Sequence, residues 1–431
     1  MLWGKSCETA PRGVCDATPV LALAASGGGG FDTALLAFGL LVMGGALVSG
    51  LVHRSFLSLT ALFVLAGFLL GRGGLDVLGF DAHSPFVADL AIVALVVILF
   101  RDGLEVEGEM LQRAWQPPLR KLVLAMPLTA AIVALATHWL TDLGWTESFL
   151  LGALLAPTDP VLSSSVVTNP RVPRVVRHSL NLESGMNDGL ALPAVLAFTA
   201  ALAGAGGFVW WKFVLQDVTL GFAFGIVMGL LASVAMPRRG RDIPDHQKSL
   251  YALGVAFATY GVAVALPPKG NGLIAVFVCA IVLGIRRPDL RATFEARADD
   301  VVEIVKLGVF VVFGSLLTLG GLFSDGWAAV AIVAVTLLLA RPVAVFAALA
   351  GTRLGVDVKA FMAWFGPKGV ATMTFSLLVL SSGFGSEQRI FDLAALCVFV
   401  SILAHGLTDT PGAEWIANRP ATRAGRPAPE P

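Results

Sequence analysis

Charge is what this sequence has least of. Only 14% of its 431 residues are Asp, Glu, Lys or Arg, whereas a soluble domain carries about 25%. The 30 basic and 30 acidic residues balance each other, so no basic excess indicates a nucleic-acid partner. The four cysteines and six histidines show no zinc-site spacing. These shortages exclude an ordinary soluble domain, a nucleic-acid-binding protein and a zinc protein.

Long apolar runs take the place of the missing charge. The chain is 56% hydrophobic, with a mean hydropathy of +0.80. Since a transmembrane helix needs about 20 apolar residues, we predict an all-α polytopic membrane protein with about 13 transmembrane helices. The predicted spans are roughly 31–51, 56–71, 86–100, 121–141, 147–168, 179–203, 208–236, 250–267, 272–285, 301–321, 326–350, 359–381 and 390–408.

The ends of the chain and its basic residues predict an orientation. Residues 1–30 read as a flexible extracytoplasmic leader, 31–410 as the transmembrane domain, and 411–431 as a short disordered cytoplasmic tail. Most Lys and Arg residues, Lys121 among them, fall in the connections after odd-numbered spans. Short cytoplasmic loops collect such residues, so we expect the N-terminus outside, the C-terminus in the cytoplasm, and the protein in the cell (inner) membrane.

Two of the predicted spans contain prolines that should interrupt the helix. Residues 156–160 read Ala-Pro-Thr-Asp-Pro, and residues 365–369 read Phe-Gly-Pro-Lys-Gly. Proline removes a backbone donor and clashes with the preceding turn, and unwound backbone at membrane depth survives only in packed protein or beside a wet cavity. Pro and Gly are also simply frequent in transmembrane helices. Two interruptions, each with a charge, favour a transporter.

The two interruptions centre on groups of three spans, 121–203 and 326–408. The groups have opposite predicted orientations, which is typical of inverted-repeat transporters with two discontinuous crossing helices. Three basic residues lie within spans: Lys306, Arg341 and Lys368. We expect Lys306, near the cytoplasmic end of its span, to snorkel, and Lys368 to mark the second helix break.

Buried carboxylates divide into two roles. An isolated guanidinium is costly at membrane depth and a carboxylate is its usual partner, so we predict a structural ion pair between Glu183 and Arg341. Asp188 and Asp159 remain as functional acids. For Asp159, a helix cap is the alternative to direct ligation.

Hydroxyl groups accompany the two functional acids. Ser184 lies four residues before Asp188, on the same helix face, and Thr158 precedes Asp159. Carboxylate and hydroxyl oxygens are hard donors that suit a hard cation. Because a carboxylate can hold either a proton or a cation, exchange of the two at one group follows.

Four motifs together resemble the monovalent cation/proton antiporters of the sodium/proton exchanger type. They are residues 156–160, Glu183-Ser-Gly-Met-Asn-Asp188, Arg341-Pro342 and Gly366-Pro-Lys-Gly369, and the resemblance covers spans three to thirteen. It implies a homodimer that works by alternating access. Each protomer would have a dimerisation domain (31–100 and 208–321) and a six-helix core (121–203 and 326–410).

The same resemblance implies the roles of individual residues. Asp188 would bind the ion, with Asp159 as a second metal-ion ligand and Thr158 and Ser184 in support. Asn187 before the aspartate resembles the electroneutral members, which implies exchange of one proton for one cation. The cation is Na⁺ in the first place, with Li⁺ and K⁺ left open. No cofactor and no enzymatic reaction are implied.

Two positions depart from the family pattern. Members often carry an acid directly after Leu-Phe, but here Leu99-Phe100 is followed by Arg101 and Asp102, so a third ligand from this helix stays open. Members commonly have Arg where this chain has Lys368, which keeps the charge but lacks the guanidinium fork.

Two rival functions come from other classes. An intramembrane aspartyl protease could use Asp159 and Asp188 as a dyad that shares a proton, although that family resembles Tyr-Asp and Gly-x-Gly-Asp motifs. A cation channel would show flux that does not depend on protons.

Overall fold

The computed structural model of the protein describes residues 29–52, 59–106, 116–159, 166, 169–204, 207–237 and 243–419. Most of the predicted leader and the last twelve residues lie outside these ranges. The described part contains helices and no strand, as predicted. In chain order the helices are α1 Gly29–Val52, α2 Leu59–Leu70, α3 Pro85–Glu105, α4 Gln116–Leu140, α5 Trp145–Leu155, α6 Arg174–Ala203, α7 Trp210–Ala235, α8 Asp245–Ala265, α9 Gly272–Arg286, α10 Pro288–Arg297, α11 Asp299–Ser315, α12 Leu319–Leu322, α13 Trp327–Ala348, α14 Val356–Trp364, α15 Val370–Leu380 and α16 Glu387–Ala417.

The helices have the composition of membrane spans. Six of those described are long and apolar enough to cross a membrane, namely α4, α6, α7, α8, α13 and α16. Large apolar side chains face outward along them, such as Trp139, which is 74% exposed, and Val234, which is also 74% exposed. Such broad exposed apolar surface is typical of contact with lipid. The protein is therefore a multi-pass membrane protein.

Both predicted helix breaks are present. α5 ends at Leu155 and residues 157–159 are not helical, while residues 365–369 separate α14 from α15. Pro157 and Pro367 account for the interruptions, since neither can donate a backbone hydrogen bond. The two breaks touch, because the Asp159 N–H donates to the Pro367 carbonyl at 2.8 Å. Residues 160–165, which follow the first break, lie outside the described ranges.

The helices pack in two groups. One contains α2, α3, α7, α8, α9 and α11; the other contains α4, α5, α6 and α13–α16. α3 touches both α6 and α15 of the second group, as well as α9 of its own. α11 also contacts α15, and α9 contacts α6, so the two groups meet along α3, α9 and α11. The count of about 13 spans and the division into a core and a dimerisation domain stay predictions.

Two segments differ from the sequence-based expectation. α16 continues through Pro411 to Ala417, with Ile416 buried, so the predicted tail begins seven residues too early. The apolar side chains after Pro411 pack on the protein and extend the helix. Helix α10, in a segment for which no span was predicted, buries Leu290 and Phe294, four residues apart on one face.

Candidate functional site

Each helix break supplies the charge that the other break needs. The Lys368 ammonium donates to the carbonyl of Pro157 at 3.1 Å and to that of Ala156 at 3.4 Å, just beyond the end of α5. The Asp159 carboxylate accepts from the N–H of Val370, the first residue of α15, at 3.2 Å. A cation at a helix C-terminus and an anion at an N-terminus both stabilise the helix dipole. The cap considered for Asp159 therefore exists, but on a helix of the other half of the chain.

Two glycines make this close crossing possible. A Cβ atom on Gly369 would overlap the side chain of Asp159, and one on Gly366 would overlap the guanidinium of Arg341. Only glycine leaves room for such an approach. The Gly-Pro-Lys-Gly sequence thus fits the break between its neighbours.

α16 holds the second break from behind. The Lys368 N–H donates to Ser401 Oγ at 2.9 Å, and Ser401 Oγ lies 3.2 Å from His405 Nδ1. His405 Nε2 lies 2.9 Å from the carbonyl of Trp364, the last residue of α14. These contacts connect α16 to both ends of the non-helical segment and hold the two ends in place relative to each other.

α6 holds the first break through an amide. Asn187 Nδ2 donates to the Thr158 carbonyl at 2.6 Å and contacts Thr158 Oγ1 at 3.2 Å. Asn187 Oδ1 is buried and has no hydrogen-bond partner among the described residues. An enclosed cavity of about 10 Å³ borders Asn187, which is room for about one water molecule. Asn187 therefore positions Thr158, and its neutral amide brings no exchangeable charge.

Asp188 is paired with an acid from another helix. α3 continues past residue 100 to Glu105, so Asp102 is still helical. α3 packs so closely on α6 that a Cβ on Gly185 would lie 3.3 Å from the Asp102 carbonyl oxygen. The carboxyl groups of Asp102 and Asp188 lie within hydrogen-bonding reach of each other. Two carboxyl groups at such close range can share one proton, so we place Asp102 in the candidate site.

The remaining predicted site residues surround this acid pair. Asp188 is 8% exposed, and Asp159 lies near enough to act electrostatically on both Asp188 and Asp102. Ser184 is partly buried on α6, one turn before Asp188. The site thus gathers three carboxyl groups beside an unwound backbone segment.

Glu183 turns away from the acid pair into a cluster of basic groups. Arg341 Nη1 donates to Glu183 Oε1 at 2.9 Å, so the predicted partners are in contact. The Lys121 ammonium donates to Glu183 Oε2 at 2.5 Å and to the Ser179 carbonyl at 3.2 Å. Arg341 also donates to the Phe365 carbonyl at 3.3 Å. Glu183 therefore lies between two cations, and each cation also has backbone acceptors.

Lys121 lies deeper in the protein than the count of loop charges placed it. It was counted with the basic residues of a connection, although it is also the first residue of the predicted span 121–141, and in the structure it is only 1% exposed. α4 begins at Gln116 with two prolines, which suit a first helical turn, so Lys121 is already inside the helix. A π-helical turn, Lys121–Ala125, begins there, and another, Val335–Ala340, ends just before Arg341. Such turns often accompany functional sites.

A third charged group lies where the α4–α5 connection meets the start of α16. Arg389 binds both carboxylate oxygens of Asp325 from its Nε at 3.0 Å, and its Nη2 lies 2.6 Å from Asp142. The Asp325 side chain is 6% exposed, whereas that of Asp142 is 85% exposed. The hydrogen bond from Arg389 lowers the pKa of Asp142 below its ordinary value.

Known proteins share this fold. The structure of the sodium proton antiporter MjNhaP1 from Methanocaldococcus jannaschii at pH 8 superposes with a TM-score of 0.78 over 90% of this chain and 100% of that chain. The two sequences are 17% identical, so the likeness shows a common fold.

Sequence relatives carry antiporter names. The K(+)/H(+) antiporter NhaP of Alkalimonas amylolytica is 27% identical over 360 residues, which are 82% of this chain and 62% of that protein. The Na(+)/H(+) antiporter NhaG of Bacillus atrophaeus is 27% identical over 295 residues, which are 65% of this chain and 55% of that protein. The chain thus spans less than two thirds of the length of either relative.

The family described as "Sodium/hydrogen exchanger, transmembrane" matches residues 39–415. The match includes both helix breaks, the acid pair and the cluster around Glu183. The chain belongs to the sodium/hydrogen exchanger family.

Proposed function

We propose that the protein exchanges a monovalent cation for a proton, one for one, by alternating access. The close approach of the carboxyl groups of Asp102 and Asp188, where α3 packs against α6, carries this proposal. Two acids this close share one proton, and a monovalent cation that displaces this proton brings the same charge. The site keeps its net charge, so the exchange is electroneutral.

Oxygen ligands for the cation come from the surrounding segments. Asp188 and Asp159 supply carboxylates, Thr158 and Ser184 supply hydroxyls, and all are hard donors that suit an alkali cation. Asn187 is neutral and adds no second exchangeable proton. Glu183, held by Lys121 and Arg341, stays charged and has a structural role.

The cation is Na⁺ or K⁺, with Li⁺ as a third possibility. The sequence motifs put Na⁺ first, whereas the relative named NhaP is a K(+)/H(+) antiporter and the relative named NhaG is a Na(+)/H(+) antiporter. Both support an alkali cation as the substrate. The inner membrane of the cell, an outside N-terminus and a homodimer complete the proposal.

The rival functions receive no support. A proteolytic dyad would pair Asp159 with Asp188, but the acid that acts most strongly on Asp188 is Asp102. A channel would not need a proton held between two acids.

Proton flux tests the proposal directly. Purified protein in sealed vesicles with an internal pH dye receives external Na⁺, K⁺ or Li⁺, first with the membrane voltage clamped to zero and then at a finite voltage. We expect at least one cation to drive a pH change that is independent of voltage. No pH change with any of the three, or cation flux without proton movement, contradicts exchange; a voltage-dependent pH change contradicts the one-for-one ratio.

A further inference from the structure

Lys306 is a buried cation close to the acid pair. It lies on α11 and is only 5% exposed, so the expectation that it snorkels to the surface is wrong. Its charge acts on both Asp102 and Asp188. A buried ammonium costs free energy unless opposite charge compensates it. The two acids are therefore its natural counter-charges, and the exchange described above gives it no role.

The backbone of α11 holds Lys306 in a fixed place. A Cβ on Gly67 of α2 would overlap the backbone of Val311, and one on Gly314 would overlap that of Val64. Packing this close leaves α11 little freedom to slide or turn. α11 also contacts α3, which carries Asp102. Lys306 and Asp102 therefore lie on two helices that are in contact, one of which is also packed tightly against α2.

The other charged groups near Asp102 and Asp188 do not act equally on both acids. Arg101 and Glu105, on α3 with Asp102, act on Asp102 with opposite signs. Asp159 acts on both members of the pair. With three acids at the site, Lys306 supplies a positive charge that both Asp102 and Asp188 sense.

We propose that Lys306 is an internal counter-cation that determines how tightly the site binds its substrate cation. It compensates the acids when the site is empty, and it repels a cation that enters. This role rests on the proposed exchange, because it needs a site that binds a cation. At an effective dielectric constant of about 20, a unit charge about 12 Å away changes binding by about tenfold.

Competition with protons gives this role a distinctive signature. A proton and a substrate cation bring the same charge to the same carboxylates, so loss of Lys306 strengthens both binding events by about the same factor. At alkaline pH few sites hold a proton, and the apparent KM reports cation binding alone. At acid pH the apparent KM depends on the ratio of the cation affinity to the proton affinity. Loss of Lys306 changes both affinities by the same factor, so this ratio stays the same.

The test measures the apparent KM of exchange for Na⁺ and K⁺ in vesicles, at alkaline and at acid pH. The variants are Lys306→Gln and Lys306→Met, which remove the charge, and Lys306→Arg, which keeps it. Lys248→Gln is the matched control, since Lys248 pairs with Asp245 on the surface. We expect Lys306→Gln to lower the KM about tenfold at alkaline pH and to leave it unchanged at acid pH. Lys306→Arg and Lys248→Gln should behave as wild type.

Thermal unfolding of purified protein gives a second readout that does not depend on transport. A bound cation raises Tm, and Lys306→Gln should reach half of this rise at about tenfold lower cation concentration at alkaline pH. An unchanged or raised KM, or an unchanged cation concentration in the unfolding assay, overturns the role of Lys306. Failure of both neutral variants to fold also overturns it, because Lys306 would then be structural. Absence of exchange by wild type instead contradicts the proposed function, and the unfolding assay then decides the role of Lys306.

Discussion

Two charged clusters are centred on α6 residues only five positions apart, Glu183 and Asp188, and the two carboxylates have opposite kinds of partner. Glu183 is held at 2.9 Å by Arg341 and at 2.5 Å by Lys121, so its charge is fully compensated by the protein. Asp188 instead faces another acid, Asp102. Like groups in contact need a mobile positive charge between them. The difference fits the two proposed roles: a structural charge at Glu183, and at Asp188 a charge that binds a proton or a cation.

The largest expected effect is on transport at the acid pair. Asp188→Asn keeps the size of the side chain and can still hydrogen-bond to Asp102, but it cannot release a proton or bind a cation by charge. We expect exchange to be abolished at every pH, with Tm close to that of wild type, as measured by vesicle flux and thermal unfolding. Asp245→Asn, a surface change on α8, serves as the control. Normal transport by Asp188→Asn would remove the acid pair from the mechanism.

The next effect is on stability at the other cluster. Arg341→Ala leaves Glu183 with Lys121 alone and empties the space beside Gly366. Breaking a buried ion pair costs about 3–5 kcal/mol, so we expect little folded protein and a much lower Tm. The exposed Arg286→Ala is the matched control. An Arg341→Ala variant that accumulates and melts like wild type would show that Glu183 does not need its guanidinium.

A smaller effect is expected at Lys121. In Lys121→Met the apolar stem fills the same space and Glu183 keeps its bond to Arg341. We expect a loss of about 1–3 kcal/mol, and an unchanged KM for the cation in the protein that folds. Combining Lys121→Met with Glu183→Gln in a double-mutant cycle measures the coupling of the two. An altered KM without loss of stability would assign Lys121 to transport and remove the contrast between the clusters.

Short sequence motifs were sufficient to predict the two helix breaks and the contact between Glu183 and Arg341. A proline close to a glycine or a charged residue predicts a helix break. Both breaks lie at the predicted prolines, Pro157 and Pro367. Arg341 stands alone in an apolar run, and a carboxylate in another run, Glu183, was the natural partner. The structure brings the two together, while their role remains to be tested by the variants above.

Hydropathy predicted the ends of helices incorrectly where a charged residue lies near the end of an apolar run. Lys121 follows a basic connection, and Asp102 comes just after the predicted end of the third span, so both looked like loop residues. In the structure α4 begins earlier and α3 ends later than the apolar runs. Lys306 was assigned to the surface because it lies near the end of its predicted span. Which face of a helix turns inward depends on packing between distant helices, which one sequence does not display.

The smallest effect is expected where a charge pair lies in water. Asp142 and Asp325 share Arg389, but the side chain of Asp142 is 85% exposed and that of Asp325 is 6% exposed. Asp142→Asn should change Tm less than Asp325→Asn. Because its pKa is lowered from the ordinary 3.8, the contribution of Asp142 is complete above that pH and is lost as the pH falls further. A Tm difference between wild type and Asp142→Asn that grew toward acid pH would contradict this account.

The order of synthesis gives Lys121 a further importance. Glu183 emerges from the ribosome 62 residues after Lys121, whereas Arg341 emerges 158 residues after Glu183. At about 5–20 residues per second, Glu183 waits roughly 8–30 s for its guanidinium. Lys121 has been synthesised before Glu183, so a partner for the carboxylate exists in the chain throughout that interval. The first half of the chain thus carries its own counter-charge for Glu183, and Arg341 in the second half completes the cluster.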